Sequence, residues 1–310
     1  MLKLHLFFKR DTGNIIMREQ STEKIPNYFA QKLQKKFDES TLAIVLYGSW
    51  LRGKRDTVVD LYVIVDNYRY LDSTVDKILT NFFSPNVYQQ VGEHLAGDFR
   101  VKFAVIDLEQ FKRRVTDDFH PYFWARFAQP TQILYVKNIQ VKQALEATFK
   151  HATKRMITES VPMLPEQFTT EMLWETALKL TYSAELRSES STAPQSIIKT
   201  SLPELELLTK SVASECSLKS ANNVWLNDTN KFDYLKKATI WQTRFFIGKG
   251  LSIMRLLKAV FTFENSLDYL VWKIERHTGI KEEPTKLQRK HPLIFSWSLI
   301  WRLYRKGGFR

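Results

Sequence analysis

The chain has 310 residues, 44% of them hydrophobic, which is enough for two domains with ample cores, so disorder is not the default. Its 46 Lys and Arg against 33 Asp and Glu leave a net charge of +13, which suits a polyanionic partner: nucleic acid, an anionic membrane surface or a nucleotide. The single cysteine, Cys216, excludes an internal disulfide and a cysteine-based zinc site and points to a reducing compartment.

The opening MLKLHLFFKR is too short in its apolar run for a secretory signal and lacks a small-residue cleavage site, so it reads as part of the folded chain and export is not expected. No stretch reaches the roughly 18 to 20 apolar residues of a spanning helix, so any membrane contact is expected to be peripheral. Residues 24–37 place Ile25, Phe29, Leu33 and Phe37 four apart, an amphipathic helix. Two apolar runs follow, 42–47 and 58–65, each with the length and β-branched content of a strand. Periodicity then predicts a helix over 70–83, a short strand at 87–91, a main strand at 99–106 and a helix from 108 to 114. The aromatic segment from Tyr122 leads through a Pro-broken turn to a strand at 132–136, the closing edge of a first domain. Helices are expected over 141–158, 171–189, 202–213 and 234–263, with polar loops or lids at 188–196 and 214–230. Residues 245–263 are very apolar and read as a core helix. The terminal HPLIFSWSLIWRLYRKGGFR, rich in Trp, Tyr, Lys and Arg, suits a bilayer interface.

The chemistry concentrates in residues 42–66, LAIVLYGSWLRGKRDTVVDLYVIVD. A Gly-Ser turn at Gly48 and Ser49 exposes backbone N–H groups able to cradle phosphate oxygens, and Asp60 on the next strand could hold a metal ion beside them. A Gly-Ser turn followed by an Asp-bearing strand is the arrangement of polymerase-β-type nucleotidyltransferases. Their usual pattern has two metal-binding carboxylates two residues apart on one strand face. Here Val58 occupies the first position and Asp60 the second. Asp66, an even number of residues further on, is a candidate second metal ligand; Asp107, Glu185 or a substrate phosphate are the others.

Further blocks extend the resemblance. YGSW (47–50), VVDLYVIVDN (58–67), RVKFAVI (100–106), ARFAQPTQIL (125–134) and LTYSAELRSE (180–189) follow one another as do the YGSG, single-Asp, KYGV, GRLQKPV and SYTGDFR segments of a known family. The chain thereby resembles the phosphatidate cytidylyltransferases of the mitochondrial translocator-maintenance type, a peripheral-membrane family with a nucleotidyltransferase domain. The resemblance covers about 42–189.

Together with the pattern of elements it predicts an α/β fold: a nucleotidyltransferase-type mixed-sheet domain (1–140) and a mainly helical domain closing the cleft (141–270), with the composition of the C-terminus adding a basic aromatic membrane-binding tail (271–310). It implies CTP and phosphatidic acid as substrates, Mg²⁺ as cofactor, and a cytoplasmic protein associated peripherally with the inner membrane. Asp60, Lys102 and Glu185 are then the catalytic candidates. Tyr47, Gly48, Ser49, Arg126, Tyr182 and Arg187 are the nucleotide-binding candidates, and Asp60 with Asp66 the metal ligands. The family's second basic position in GRLQKPV is Gln129 here, and its Asp in SYTGDFR is Glu185.

Plainer readings stand beside these. Lys102 would serve as an outward strand lysine, Arg187 as a helix-surface partner of Glu185 or Glu189, and Asp107 as a helix N-cap. His120 and His291 show no metal-ligand spacing, and Trp124 reads as core. Nucleotide transfer to RNA or to a soluble acceptor, and a degenerate nucleotide-binding scaffold, are the competing functions.

Overall fold

A computed structural model of the chain describes residues 24–55, 57–68, 85–94, 97–185, 193–221, 224–262, 271, 275, 279–290 and 297–306. Its centre is a five-stranded mixed sheet of β1 (Thr41–Tyr47), β2 (Val59–Val65), β3 (Asn86–His94), β4 (Gly97–Asp107) and β5 (Gln132–Val136), in the order β3-β4-β2-β1-β5. β2 and β4 run parallel, and the other neighbours are antiparallel. The inner strands are apolar on both faces because helices cover both. Helix α1 (Ile25–Phe37) lays Phe29, Leu33 and Phe37 on one face, against Leu46, Val63 and Phe103. Each such large side chain, fully buried, contributes on the order of 2 kcal/mol.

The other face meets the helices that follow: α2 (Leu108–Asp117), the short α3 (Trp124–Phe127) and α4 (Ile139–Ser160), then α5 (Thr170–Ser183) and α6 (Ala193–Val212). One apolar core runs from Ala43, Val45 and Ile64 of the sheet through Phe111, Phe127 and Leu145 to Trp174, Leu205 and Trp241. Local chemistry sets the helix starts. Asp107 accepts from Gln110 N, Asn138 from Val141 N and Thr169 from Met172 N, caps worth about 1 kcal/mol each. Asp107 is therefore a cap, and its backbone N–H donates to the Tyr68 hydroxyl.

Several boundaries move. The expected strand at 87–91 lengthens into β3, paired with β4 along its whole length. The expected lid at 214–230 carries β7 (Lys219–Ala221) and β8 (Val224–Leu226), which form a small sheet with β6 (Gln167–Phe168). Helix α6 starts nine residues before its expected start and carries Pro203 in its interior. Helix α5 stops at Ser183, and the expected helix at 70–83 lies outside the described residues.

A long helix, α7 (Lys231–Thr262), takes in residues 245–262 of the apolar run. Trp241 and Arg244 bury one side of it, whereas Phe232 and Phe246 are about three-quarters exposed on the other. Two C-terminal helices follow among the described residues, α8 (Lys286–Lys290) and α9 (Trp297–Arg305). Helix α9 turns Leu299 and Leu303 inward against Val271 and Ile280, while Arg302 and Lys306 pair with Glu282 and Trp301 is largely exposed. Among the described residues no helix is long and apolar enough to cross a membrane.

Candidate active site

The sheet register assembles the site. On the face beneath α2 to α6, Ala43, Ile64 and Ile106 lie in one row across β1, β2 and β4, and Val45, Tyr62 and Ala104 in the next. The third row is Tyr47, Asp60 and Lys102. Register partners point to the same side of a sheet, so two apolar rows give way to one carrying a phenol, a carboxylate and an ammonium. Lys102 is therefore half-buried beside Asp60, and among the described residues its ammonium makes no hydrogen bond or ion pair.

The Gly-Ser turn closes this end of the sheet. Gly48 has φ +86°, which an L side chain rarely adopts, and a Cβ there would come within 3.2 Å of Asp60 Oδ2. The turn thus brings bare backbone against the carboxylate. Ser49 opens a short 3-10 turn (Ser49–Arg52), and its Oγ donates to Thr57 Oγ1 at 3.2 Å, tying the two ends of the basic loop together.

Arg126, on α3, reaches the same row. Its Nη1 donates to the Tyr62 hydroxyl at 3.3 Å, and its guanidinium lies 4.2 Å from the Tyr122 ring centroid and 5.6 Å from that of Tyr47. Burial works against the charge, and the surrounding Tyr122, Tyr62, Tyr47 and the Glu185 carboxylate more than offset it, so the pKa of Arg126 is raised and it stays cationic. Burial first, then the Asp60 charge, pushes the Tyr47 phenol well above its usual value, so it remains protonated. Among the described residues the bond to Tyr62 is the one hydrogen bond that the five N–H groups of Arg126 make.

Glu185 follows the C-terminus of α5 and shares the field of Arg126; its backbone N–H donates to Tyr182 O at 3.1 Å. Tyr182 packs half-buried on the main core. Arg187 lies outside the described residues. Asp66 is not part of this constellation: it is exposed at the opposite end of β2, roughly 20 Å along the strand from Asp60, because six extended residues separate them. The pairing of Asp60 with Asp66 as metal ligands is corrected accordingly.

Among the described residues no three His, Cys, Asp or Glu side chains gather into a cage for a metal ion. Asp60, facing a bare-backbone turn, fits the other common arrangement for magnesium, one carboxylate completed by substrate phosphates and water.

A family model described as mitochondrial phosphatidate cytidylyltransferase matches residues 62–251, more than half of the chain. The chain belongs to this family. It is a nucleotidyltransferase, and the family's name carries CTP and phosphatidate as substrates and CDP-diacylglycerol as product. The span that matches the phosphatidate cytidylyltransferases includes Lys102, Arg126, Tyr182 and Glu185 and begins two residues after Asp60. No curated protein sequence matches the chain significantly. Tyr62 and Tyr122, the partners of Arg126, went unmarked in the sequence. Tyr62 was findable, since two residues from Asp60 on a strand means the same face, whereas nothing local marks Tyr122.

Proposed function

We propose that the row Tyr47, Asp60 and Lys102, together with Arg126, binds CTP and directs in-line attack by the phosphate of phosphatidate on the CTP α-phosphorus. One observation carries this reading: among the described residues two half-buried cations, Lys102 and Arg126, keep most of their donors uncommitted near the Asp60 carboxylate. A structural arginine or lysine would spend those donors on protein groups; a triphosphate site needs them left over.

A new P–O bond forms to the α-phosphorus while the bond to the β-phosphate oxygen breaks and pyrophosphate leaves. The attacking monoester is largely dianionic near pH 7, with a second pKa of about 6, so no general base is required. Glu185 is then assigned to orienting Arg126 rather than to proton transfer. Lys102 and Arg126 stabilise the charge that grows on the leaving group, and the N–H groups of Gly48 and Ser49 receive a phosphate oxygen. Asp60 is the protein's carboxylate for Mg²⁺, and when bound the ion neutralises triphosphate charge. Tyr182 and Arg187 are carried as nucleotide contacts from the resemblance.

Residues 141–270 are proposed to close the cleft over the 1–140 unit. The net charge, the exposed Phe232, Phe246 and Trp301, and the 271–310 tail support peripheral attachment to an anionic membrane surface on the cytoplasmic side.

The test incubates purified protein with labelled CTP, Mg²⁺, phosphatidic acid micelles and added RNA, with Asp60→Ala alongside. Labelled CDP-diacylglycerol from the wild type alone supports the reading. No product, product insensitive to Asp60→Ala, or label passing instead to RNA would overturn it. Removing residues 293–310 should lower co-sedimentation with anionic liposomes; unchanged binding would end the membrane role of the tail.

A further inference from the structure

Three segments far apart in sequence meet at one buried hydrogen bond. His120, 4% exposed, sets its Nε2 2.8 Å from the carbonyl oxygen of Ala184, the residue that follows α5. The backbone N–H of Tyr122 donates to its Nδ1 at 3.3 Å, so Nδ1 carries the lone pair, and the ring is neutral with Nε2–H donating to Ala184. The third segment is α7. Gly248 is buried there, and a Cβ added to it would overlap both Ala184 O and His120 Nε2, so only hydrogen fits. One turn earlier on the same face, Arg244 Nε donates to Phe119 O at 2.8 Å. The long helix thus clamps the 119–120 segment and passes its bare backbone across the His120–Ala184 bond.

Both ends of that bond lead to Arg126. Tyr122, two residues after His120, lies against the Arg126 guanidinium, and Glu185, one residue after Ala184, is the carboxylate in its field. We propose that His120, backed by Gly248, is a positioning residue that fixes Glu185 and Tyr122 around Arg126 and so sets affinity for the nucleotide triphosphate. This rests on Arg126 contacting CTP, as proposed above.

The imidazole's two roles can be separated by substitution. In His120→Gln the side-chain amide can occupy the Nε2 position and still donate to Ala184 O. In His120→Asn the shorter side chain keeps an acceptor for Tyr122 N–H and loses Ala184. The full-length protein and both variants would be compared by thermal melting, by hydrogen exchange of residues 182–185, and by steady-state kinetics with CTP and phosphatidic acid micelles. His120→Gln should stay within about twofold of wild type, whereas His120→Asn should raise KM for CTP about tenfold, the scale of one lost hydrogen bond, with faster exchange at 184–185 and kcat little changed. Gly248→Ala should follow His120→Asn if it folds. Equal exchange protection in the wild type and both His120 variants would overturn the proposal, as would losses in both variants that track melting temperature with KM unaltered, since a merely structural histidine predicts that. Arg126→Ala, assayed in parallel, keeps the two readings apart. If it leaves KM for CTP unchanged, the nucleotide site is wrong, while exchange at 184–185 still decides the role of His120.

Discussion

Arg126 and Arg244 look alike by surroundings and differ in what their donors do. Arg244 lies 4.7 to 5.4 Å from the ring centroids of Trp241, Phe119 and Trp124, and Arg126 lies 4.2 and 5.6 Å from those of Tyr122 and Tyr47. Arg244, 3% exposed, commits its guanidinium to Phe119 O and to Glu159 Oε2 at 2.7 Å, and Glu159 also pairs with Lys237. Nearby Arg155 donates to the carbonyls of Val115, Thr116 and Asp118 at the end of α2. These arginines are mortar between α2, α4 and α7. Arg126 has a cation–π cage of tyrosines, a single hydrogen bond among the described residues, and a carboxylate in its field. Aromatic cages hold a guanidinium without consuming its N–H groups, which is what a residue kept for a ligand requires.

The sharpest way to break the contrast is at the row that Arg126 joins. Asp60→Asn should lower CDP-diacylglycerol formation by about 10³-fold or more, with an unchanged circular dichroism spectrum, because metal-assisted charge stabilisation is worth several kcal/mol. Arg126→Lys should lower kcat/KM for CTP by about 10²-fold at nearly normal stability, since a point charge replaces a fork of donors. Arg244→Ala should do the reverse. It removes one partner of a buried ion pair and should cost about 3 kcal/mol in urea unfolding, with kcat/KM for CTP in the folded fraction falling far less than in Arg126→Lys. If Arg126 proved the stability residue and Arg244 the kinetic one, the comparison would be inverted. Lys102→Ala is expected to be milder, about tenfold in kcat/KM, because one flexible ammonium makes a single phosphate contact.

The smallest effect concerns acid. Burial raises the Glu159 carboxyl pKa, and its hydrogen bonds and charge pairing with Arg244 and Lys237 more than reverse this, leaving it below the usual value. A depressed carboxylate pKa adds stability that is present above the unfolded-state value and lost as pH falls through the folded-state one. Melting temperature should therefore drop as pH goes from about 5 toward 3, and Glu159→Gln, already destabilised, should show a shallower drop over that range. An equally steep drop in the variant would place the acid sensitivity elsewhere.

Most of the site's inner half was legible along the chain. The limits of β1, β2 and α1 follow from apolar period and β-branched content, and Gly48 and Asp60 announce themselves by a turn residue before a strand carboxylate. The Asp107 cap was equally readable, since side chain and partner are three residues apart. Asp66 shows the limit of such reading. Even spacing along a strand gives the correct face but says nothing of how far a cleft extends, and here six extended residues carry Asp66 to the far end. The small sheet of β6, β7 and β8 was hidden for a related reason: two- and three-residue strands have no period to detect, and β6 is defined only by its pairing with β8, far along the chain, as Phe168 with Trp225.

The class of chemistry is written along the chain: a Gly-Ser turn, one acid, a basic chain, and ordered blocks that place it among the phosphatidate cytidylyltransferases. Those are local properties, written within a few residues of each other. The tertiary structure decided what surrounds that acid. Only the parallel pairing of β2 with β4 puts Lys102 beside Asp60, and only packing of α3 against Tyr47 and Tyr62 sets Arg126 there with one side-chain hydrogen bond among the described residues. Register and packing are non-local, so the aligned segment could single out Arg126 by resemblance, but only the fold shows that Arg244 spends its donors on Phe119 and Glu159.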